Sequence, residues 1–486
     1  LISSSFLKAQ TTDQDSIYSS VSIGGIISSD NFLPFLLEHN RWGEVNPDQK
    51  IFISSTNYYQ HQFNDHWSVD GGFSFRNDRA SEYYVRGRRN QIQLSVGAIK
   101  EVIGGIDSDL SLINYGISRN ALPVPMVELK VDYIDVPFTN GLVKLKGSIA
   151  QRWLEDDRYQ SKASIHNKDV YLMFDLDQSI GFQVSTGLVH IAQYAGTDPF
   201  GVEQPNAFSD WLDVFLGKGA AEGQGTAGEN NGRGNHLGMF EIMFDKRIGE
   251  HRLTLDYQSP FEDGGSMQYI SLKSFLLALN WKLPDSFSFL KEFQVEYTQS
   301  AHQSGPGIPD ATPQFPTVDS NFGYKFGGRD DFHNNYLYRS GFTYKGRIMG
   351  NPLFHTYSWT QNFWEPYPFY EVAVSNNRIY ALNFSARGEI IEKLSYRIQF
   401  VRTENYGSYK GLYDGRFNWG GVKSDPGYPY LYKGGLVQHF TSLELNWTLD
   451  LMGQPVQLTS LIGYDYGDMY DNIGAELSVS YLLLNK

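Results

Sequence analysis

At 486 residues the chain is long enough for several ordinary domains or one large closed architecture, and no Pro/Gly/Ser linker divides it, which favours the single unit. Its 54 acidic against 40 basic side chains give a net charge of −14, which argues against a nucleic-acid partner, whose phosphates demand a basic face. The absence of Cys excludes a disulfide scaffold, a zinc–thiolate site and an iron–sulfur cluster.

The first ten residues, LISSSFLKAQ, read as the remnant of a secretory signal, which leaves residues 11–486 as the expected domain. No run of 18 apolar residues follows. The longest candidates are FLPFLL (32–37) and SFLLAL (274–279), so only a barrel could span a membrane. Alternation of apolar and polar residues is clear in QIQLSVGA (91–98), VELKVDY (127–133) and LVKLKGSI (142–149), each predicted to be a strand. Residues 199–238 break the pattern: Ser209 is placed to cap a short helix carrying Trp211, Leu212, Phe215 and Leu216 on one side, and a Gly-rich run follows.

Strands resume at HRLTLDY (251–257) and EFQVEYT (292–298), and the Pro-rich stretch 303–323 cannot pair centrally in a sheet. After a polar, aromatic segment at 327–354, alternation returns at LSYRIQF (394–400), and residues 404–435 form a long aromatic and Gly-rich loop. Near the end, Leu443, Leu445, Trp447 and Leu449 point one way while Ser442, Glu444, Asn446 and Thr448 point the other. The last segment sets Ile473, Ala475, Leu477, Val479, Tyr481 and Leu483 opposite Glu476, Ser478 and Ser480.

With weaker candidates included, the count is about 18 strands. Alternation alone does not distinguish a soluble sandwich from a membrane barrel, in which the same pattern is turned inside out. Several strands reach the length of a tilted bilayer span. Aromatics cluster near strand ends, as at Trp67, Tyr257, Trp281, Trp447 and Tyr481, and the mean hydropathy of −0.38 suits a wet interior. The expected fold is all-β: a closed antiparallel transmembrane β-barrel with short helical segments and long loops that fill or cap its lumen.

Catalytic signatures are absent. Gly223, Gly225 and Gly228 satisfy G-x-G-x-x-G, but no strand leads into them and no helix follows, so a flexible loop is the reading. There is no G-x-S-x-G, no P-loop and no H-E-x-x-H, the histidines are scattered, and Asp465, Asp468 and Asp471 read as solvated acids. No catalytic residue, metal or cofactor is therefore expected. What remains is aromatic: Trp359, Trp364, Tyr367, Tyr370, Tyr406 and Trp419 are candidate glycan contacts, because a ring face stacks on a sugar while neighbouring amides bond its hydroxyls. Girdle or loop packing is the alternative for the same rings.

Five polar stretches occur in a recognisable order: SRNALPVPMVEL (118–129), IHNKDVYLM (165–173), GLVHIAQYAG (187–196), PNAFSDWLDVFLG (205–217) and GGRDDFHNNYLYRSGFTYKGRIMGNPLF (327–354). In these the chain resembles the capsule-assembly outer-membrane family called Wzi, from LPFLLEHNRWG (33–43) to the C-terminus. It departs from that pattern at Leu36, where an aromatic is expected, at Ala195, where a Gly is expected, and in ending YLLLNK without a terminal Phe. The resemblance implies a barrel of about 18 strands in a Gram-negative outer membrane, with periplasmic helical elements and extracellular loops that close it. It implies a non-enzymatic protein whose partners are outer-membrane lipid and lipopolysaccharide and capsular or surface polysaccharide. The alternative is an accessory subunit of a larger outer-membrane assembly, partnered by other outer-membrane proteins. A diffusive porin is weakened by the many segments available to fill the lumen.

The polar residues of the shared stretches, Arg119, Asn120, His166, Lys168, His190, Arg329, Asp330, Asp331, Asn334, Asn335 and Arg347, are expected inside the lumen or its plug. Charges enclosed by an apolar wall must pair. Arg329 with Asp330 or Asp331, Arg339 and Arg347 would form such networks. Asn334 and Asn335 would satisfy backbone groups of an infolded loop, and Gly341, Gly346 and Gly350 would let chain segments approach closely.

Overall fold

The computed structural model describes residues 15–177, 181–218, 234–262, 273–303, 331–364, 373–408, 416–418, 421–423, 432, 435–451 and 453–485. Eighteen antiparallel strands form one sheet. They are β1 (Asp15–Ser28), β2 (Ile51–Asn64), β3 (Trp67–Arg76), β4 (Arg79–Arg89), β5 (Ile92–Ala98), β6 (Met126–Asp135), β7 (Val143–Trp153), β8 (Ser164–Asp177) and β9 (Phe182–Tyr194), followed by β10 (Asn235–Ile248), β11 (His251–Phe261), β12 (Phe275–Lys282), β13 (Glu292–Gln299), β14 (Ile379–Ile391), β15 (Leu394–Asn405), β16 (Leu436–Leu451), β17 (Gln454–Gly467) and β18 (Asn472–Asn485). Each pairs with its neighbours in sequence, and β1 pairs with β18 from Tyr18 against Asn485 to Ser28 against Gly474. That last pairing closes the sheet and removes its edges.

The outer face is apolar: Ile23, Ile27, Val85, Leu94, Leu129, Leu172, Leu277, Leu382, Ile473 and Leu477 are all exposed, as are Trp67, Trp281 and Trp447 near strand ends. Residues of opposite parity turn inward; on β13 Glu292, Gln294, Glu296 and Thr298 are buried and alternate with the more accessible Phe293, Val295 and Tyr297. Backbone groups in hydrocarbon have no water to bond, and closure of the ladder satisfies them. This inversion, with an apolar band outside and aromatics at its borders, is the architecture of bacterial outer-membrane barrels.

Successive connections of an antiparallel barrel alternate between its rims. One rim carries tight links such as 65–66, 90–91, 249–250 and 392–393. The other carries 29–50, 99–125, 154–163, 195–234, 262–274, 300–378 and 406–435. In barrels of this type the short turns face the periplasm and the long loops face outward. The short helices α1 (Phe35–Glu38), α2 (Phe208–Phe215) and α3 (Tyr357–Thr360) all lie on long connections. Among the described residues none lies at the short-turn rim, where the resemblance had implied periplasmic helices.

Among the described residues several of the long connections turn into the barrel, 29–50, 99–125 and 331–364 among them. Residues 99–125 descend so far that the Ser108 hydroxyl donates to Glu292 (2.6 Å), the first residue of β13 at the short-turn end. On the way the amide of Gly105 donates to Glu241 (2.5 Å), and those of Leu112 and Ile113 donate to Glu296 (both 3.1 Å), which also accepts from the Ser111 hydroxyl at 2.8 Å. Residues 331–364 lie above this excursion: the Ser118 amide donates to the Met349 carbonyl (2.8 Å) and the Asn120 side chain to that of Ile348 (2.9 Å).

Between the layers a core of Ile103, Leu112, Tyr115, Phe332, Phe342, Leu353 and Phe354 packs on Val189, Ile191, Leu237, Met239, Val401 and Phe440 of the inner wall. The interior is therefore polar towards the short-turn rim, and higher up an apolar core is ringed by buried amides such as Gln193, Asn235, Asn405 and Gln438. Replacing Glu241 and Glu296 together with Ala should detach the descending segment, since each charge-assisted bond contributes about 1.5–3 kcal/mol. The expected outcome is faster limited proteolysis within 99–125 and conductance steps in planar bilayers where the parent protein gives none; unchanged proteolysis would mean the wall acids do not hold it.

Candidate functional site

Where β16, β17 and β18 meet the long-loop rim, several rings are brought into one cluster. The excursion 29–50 enters first: the Phe35 amide donates to Asp465 (2.6 Å), whose carboxylate also accepts from the Tyr470 hydroxyl (2.9 Å). Asp468 and Asp471 likewise accept from backbone amides, of Val437 and Gly467. Asp465 is thus a buried anchor and not the solvated acid that the sequence suggested. Further along, Arg41 binds Glu476 through two parallel bonds of 2.9 Å, and Arg76, lying over the Phe52 ring, adds a third at 3.0 Å. Burial would lower the Arg41 pKa, but the adjoining Glu476 carboxylate more than offsets it and raises the value. Glu44 is held below the usual carboxylate range because Lys100, 2.5 Å away, outweighs the opposing effect of burial.

Over this base sits α3, whose first turn is capped by the Thr356 hydroxyl accepting from the Trp359 amide (3.3 Å). Trp359 is only 6% exposed, packed edge-on to Phe35 (5.7 Å), His39 (5.4 Å) and Phe363 (5.1 Å) and tilted against His355 (4.7 Å). Phe363 rests on Tyr470 (4.7 Å), and Trp364 meets Phe363 (5.0 Å) and Tyr432 (4.9 Å) edge-on. Phe363 and Trp364 are half-buried, and Gln361 and Asn362 beside them are exposed. The surface therefore presents ring area next to amide donors and acceptors, held on a rigid aromatic base, the mixed lining of a site for a polar ligand with apolar faces. On the same rim the Arg339 guanidinium lies over Tyr159 (4.8 Å) and Tyr336 (5.3 Å).

The expected contacts separate. Trp364 reaches the surface, while Trp359 and Tyr406 do not: Tyr406 is 1% exposed and its hydroxyl donates to Glu404. Aromatic content alone could not distinguish a ring that faces water from one that supports it. Tyr367, Tyr370 and Trp419 lie outside the described residues, as do Arg329, Asp330, the first ten residues and the G-x-G-x-x-G run.

Of the plug residues, Arg119 donates to the Ser108 carbonyl and lies 3.7 Å from Asp107 and 3.9 Å from Asp109; burial lowers its pKa against their pull. Asn120 accepts from the Asn40 amide (3.1 Å). Asn334 both donates to and accepts from the backbone of Val374 (2.9 Å each), and Asn335 accepts from the amides of Leu337 and Tyr338. Asp331 accepts from Asn377 (2.7 Å), and Arg347 pairs with Glu38 (2.7 Å) and, among the described residues, not with one of its own motif. At Gly341, with φ +67, a Cβ would come within 2.6 Å of the His333 carbonyl.

Three expectations are corrected. His166 and Lys168 share the parity of the exposed Val170 and Leu172 on β8, opposite to Tyr171, whose hydroxyl donates inward to Glu241 (2.6 Å). His190 likewise alternates with Val189 and Ile191 of the luminal core. All three stand on the outer wall. Polarity suggested the lumen, but the phase of the strand overrides composition. Among the described residues no three His, Cys, Asp or Glu are grouped to hold a metal.

Neither a sequence-family model nor a curated protein matches the chain. Among solved structures it is similar to Wzi of Escherichia coli, an outer-membrane protein involved in group 1 capsule assembly and described as a carbohydrate-binding β-barrel, with TM-score 0.53 and 11% identity over 95% of this chain and 83% of that one. OprD of Pseudomonas aeruginosa (TM-score 0.44, 10% identity, 98% of this chain and 94% of that one) and OccK11 of the same organism (0.46, 10%, 96% and 96%) also match. The first likeness supports the 18-stranded outer-membrane barrel fold.

The two histidines against Trp359 give the cluster a pH dependence. Burial depresses His355 to about 3, and burial, with help from Arg347 and His355, takes His39 well below its usual 6.5. Both are neutral when folded, so between pH 6.5 and about 3 the unfolded chain binds protons that the folded one does not, and stability falls as pH falls. The loss from His355 at pH 5 is about 2 kcal/mol, and above pH 6.5 it vanishes. Tryptophan fluorescence during denaturant unfolding at pH 7 and pH 5 should show the difference, and His355→Gln should reduce it; equal midpoints in the parent protein would contradict the assignment.

Proposed function

We propose that the protein is a non-enzymatic outer-membrane barrel that binds capsular or other surface polysaccharide at its extracellular rim and helps to hold that polymer at the cell surface. The carrying observation is the half-buried Phe363–Trp364 pair with Gln361 and Asn362 exposed beside it, supported from below by the buried Trp359. Aromatic surface flanked by amides fits a pyranose ring, one face of which is apolar while its edge carries hydroxyls. The carbohydrate binding attributed to the E. coli Wzi barrel is consistent with this reading. So is a lumen occupied by residues 99–125 and 331–364, which speaks against a diffusive pore. Tyr367, Tyr370 and Trp419 are proposed to extend the same surface.

The test is retention of capsular polysaccharide by the purified full-length protein. Trp364→Ala should weaken retention several-fold with little change in thermal midpoint. Trp359→Ala removes a buried support and should cost about 3–5 kcal/mol of stability. Full retention by a folded Trp364→Ala protein would remove the site from this rim. Isolation of the protein from membranes with a stoichiometric polypeptide and no sugar would instead favour an accessory subunit.

A further inference from the structure

The excursion 195–218 differs from the other described long connections in where it goes. Its helix α2 lies against the outside of the barrel: Val214 and Trp211 pack on Ala192 and Tyr194, which share the outward parity of His190 on β9. Trp211 and Phe215 also cover His166, with ring centroids 5.3 Å away in each case, and Lys168 donates to the Phe215 carbonyl while its ammonium sits over the Phe215 ring. The N-terminus is closed by Asp210 accepting from the Ala207 amide (2.9 Å), so the helix starts one residue before Ser209, the expected cap.

At 100° per residue the eight-residue helix and the Leu216 that follows present three faces. Trp211, Val214 and Phe215 meet the wall. Ser209, Asp210 and Asp213 form a polar face. Phe208, Leu212 and Leu216, at i, i+4 and i+8, form a third, and they are 73%, 39% and 60% exposed. The apolar arc is about twice as wide as contact with the wall needs, and a helix facing only water on its remaining sides would not keep the second stripe.

We propose that α2 is an interfacial anchor whose Phe208–Leu212–Leu216 stripe is seated among the acyl chains of the outer leaflet, with Asp210 and Asp213 towards the headgroups. The argument for lipid as the occupant is continuity. On β8 beneath the helix the outward residues that follow Lys168, Val170 and Leu172, belong to the exposed apolar band already described, and the contact of Phe215 with Lys168 brings the helix to the edge of that band. A protein seated on the stripe would have to lie in the membrane plane and displace lipid from those positions as well. A helix lying in the interface, apolar face down and acids up, needs neither. The anchor also accounts for the polar outer wall at His166 and Lys168: the rings of α2 shield it from the bilayer.

These 486 residues hold no Cys, so single labels are clean. Leu212→Cys and, separately, Leu216→Cys would carry a nitroxide in the full-length protein reconstituted in vesicles of outer-membrane lipid. Accessibility would be compared for oxygen, which concentrates in acyl chains, and for a water-soluble nickel chelate. Leu172→Cys on the band and the exposed Ser358→Cys at the rim provide the lipid and water references. The expected result is an oxygen-to-nickel ratio at 212 and 216 close to that of 172 and several-fold above that of 358. A ratio like that of 358 would overturn the anchor. Shielding from both reagents, the mark of a protein contact or a second copy, would overturn it equally.

Discussion

A closed barrel that folds its own loops inside must find a hydrogen-bond partner for every backbone amide it encloses. Water cannot supply them in a filled lumen, and an unmet amide costs as much as a lost bond. Here the inner wall supplies acceptors. Glu241 takes the amide of Gly105, Glu296 those of Leu112 and Ile113, and Asp465 that of Phe35, while within the infolded connection itself the Asn334 side chain pairs with both backbone groups of Val374. The donors that meet each acid offset part of the cost of burying it. The position of the infolded segments, the apolar core between them and the aromatic surface above all rest on these contacts.

Much of the wall was legible in the sequence, because side-chain alternation with a period of two is a direct consequence of strand geometry. Leu443 and Trp447, or Leu477 and Val479, face out, while Glu476 and Ser478 are buried, as their spacing requires. The bonding of Asn334 and Asn335 to an infolded backbone was legible for a similar reason: short amides satisfy local backbone groups. The descent of 99–125 was not, since nothing in its composition separates a loop that enters the lumen from one that leaves it. The acceptors that hold it lie more than a hundred residues away in sequence.

The polar outer wall misled for the opposite reason. His166 and His190 are polar residues on strands of a membrane barrel, and polarity alone places such residues inside. Their phase relative to Val170 and to Val189 gives the outer side; α2 removes the conflict at His166 by covering it, and His190 is met by His236 of β10. Ala195, where a Gly was expected, does adopt the left-handed backbone, with φ +57, at the point where the chain leaves β9 for this outward excursion. Among the aromatics, depth separates neighbours: Trp359 and Trp364 stand five residues apart, yet the first is buried and the second half-buried.

The order in which the strands are made gives the infolded segments a part in assembly. Residues 99–125 are synthesised before β10, β13 and β15, yet they bond to Glu241 of the first and Glu296 of the second and lie beside Arg397 of the third, whose side chain donates to the Asp109 carbonyl. Phe35, near the start, waits for Asp465 near the end. Residues 99–125 therefore have their acceptors once β15 is in place, whereas Phe35 has its own only once β17 is, beside the seam at which β18 meets β1. Seating the interior is expected to finish where the barrel closes.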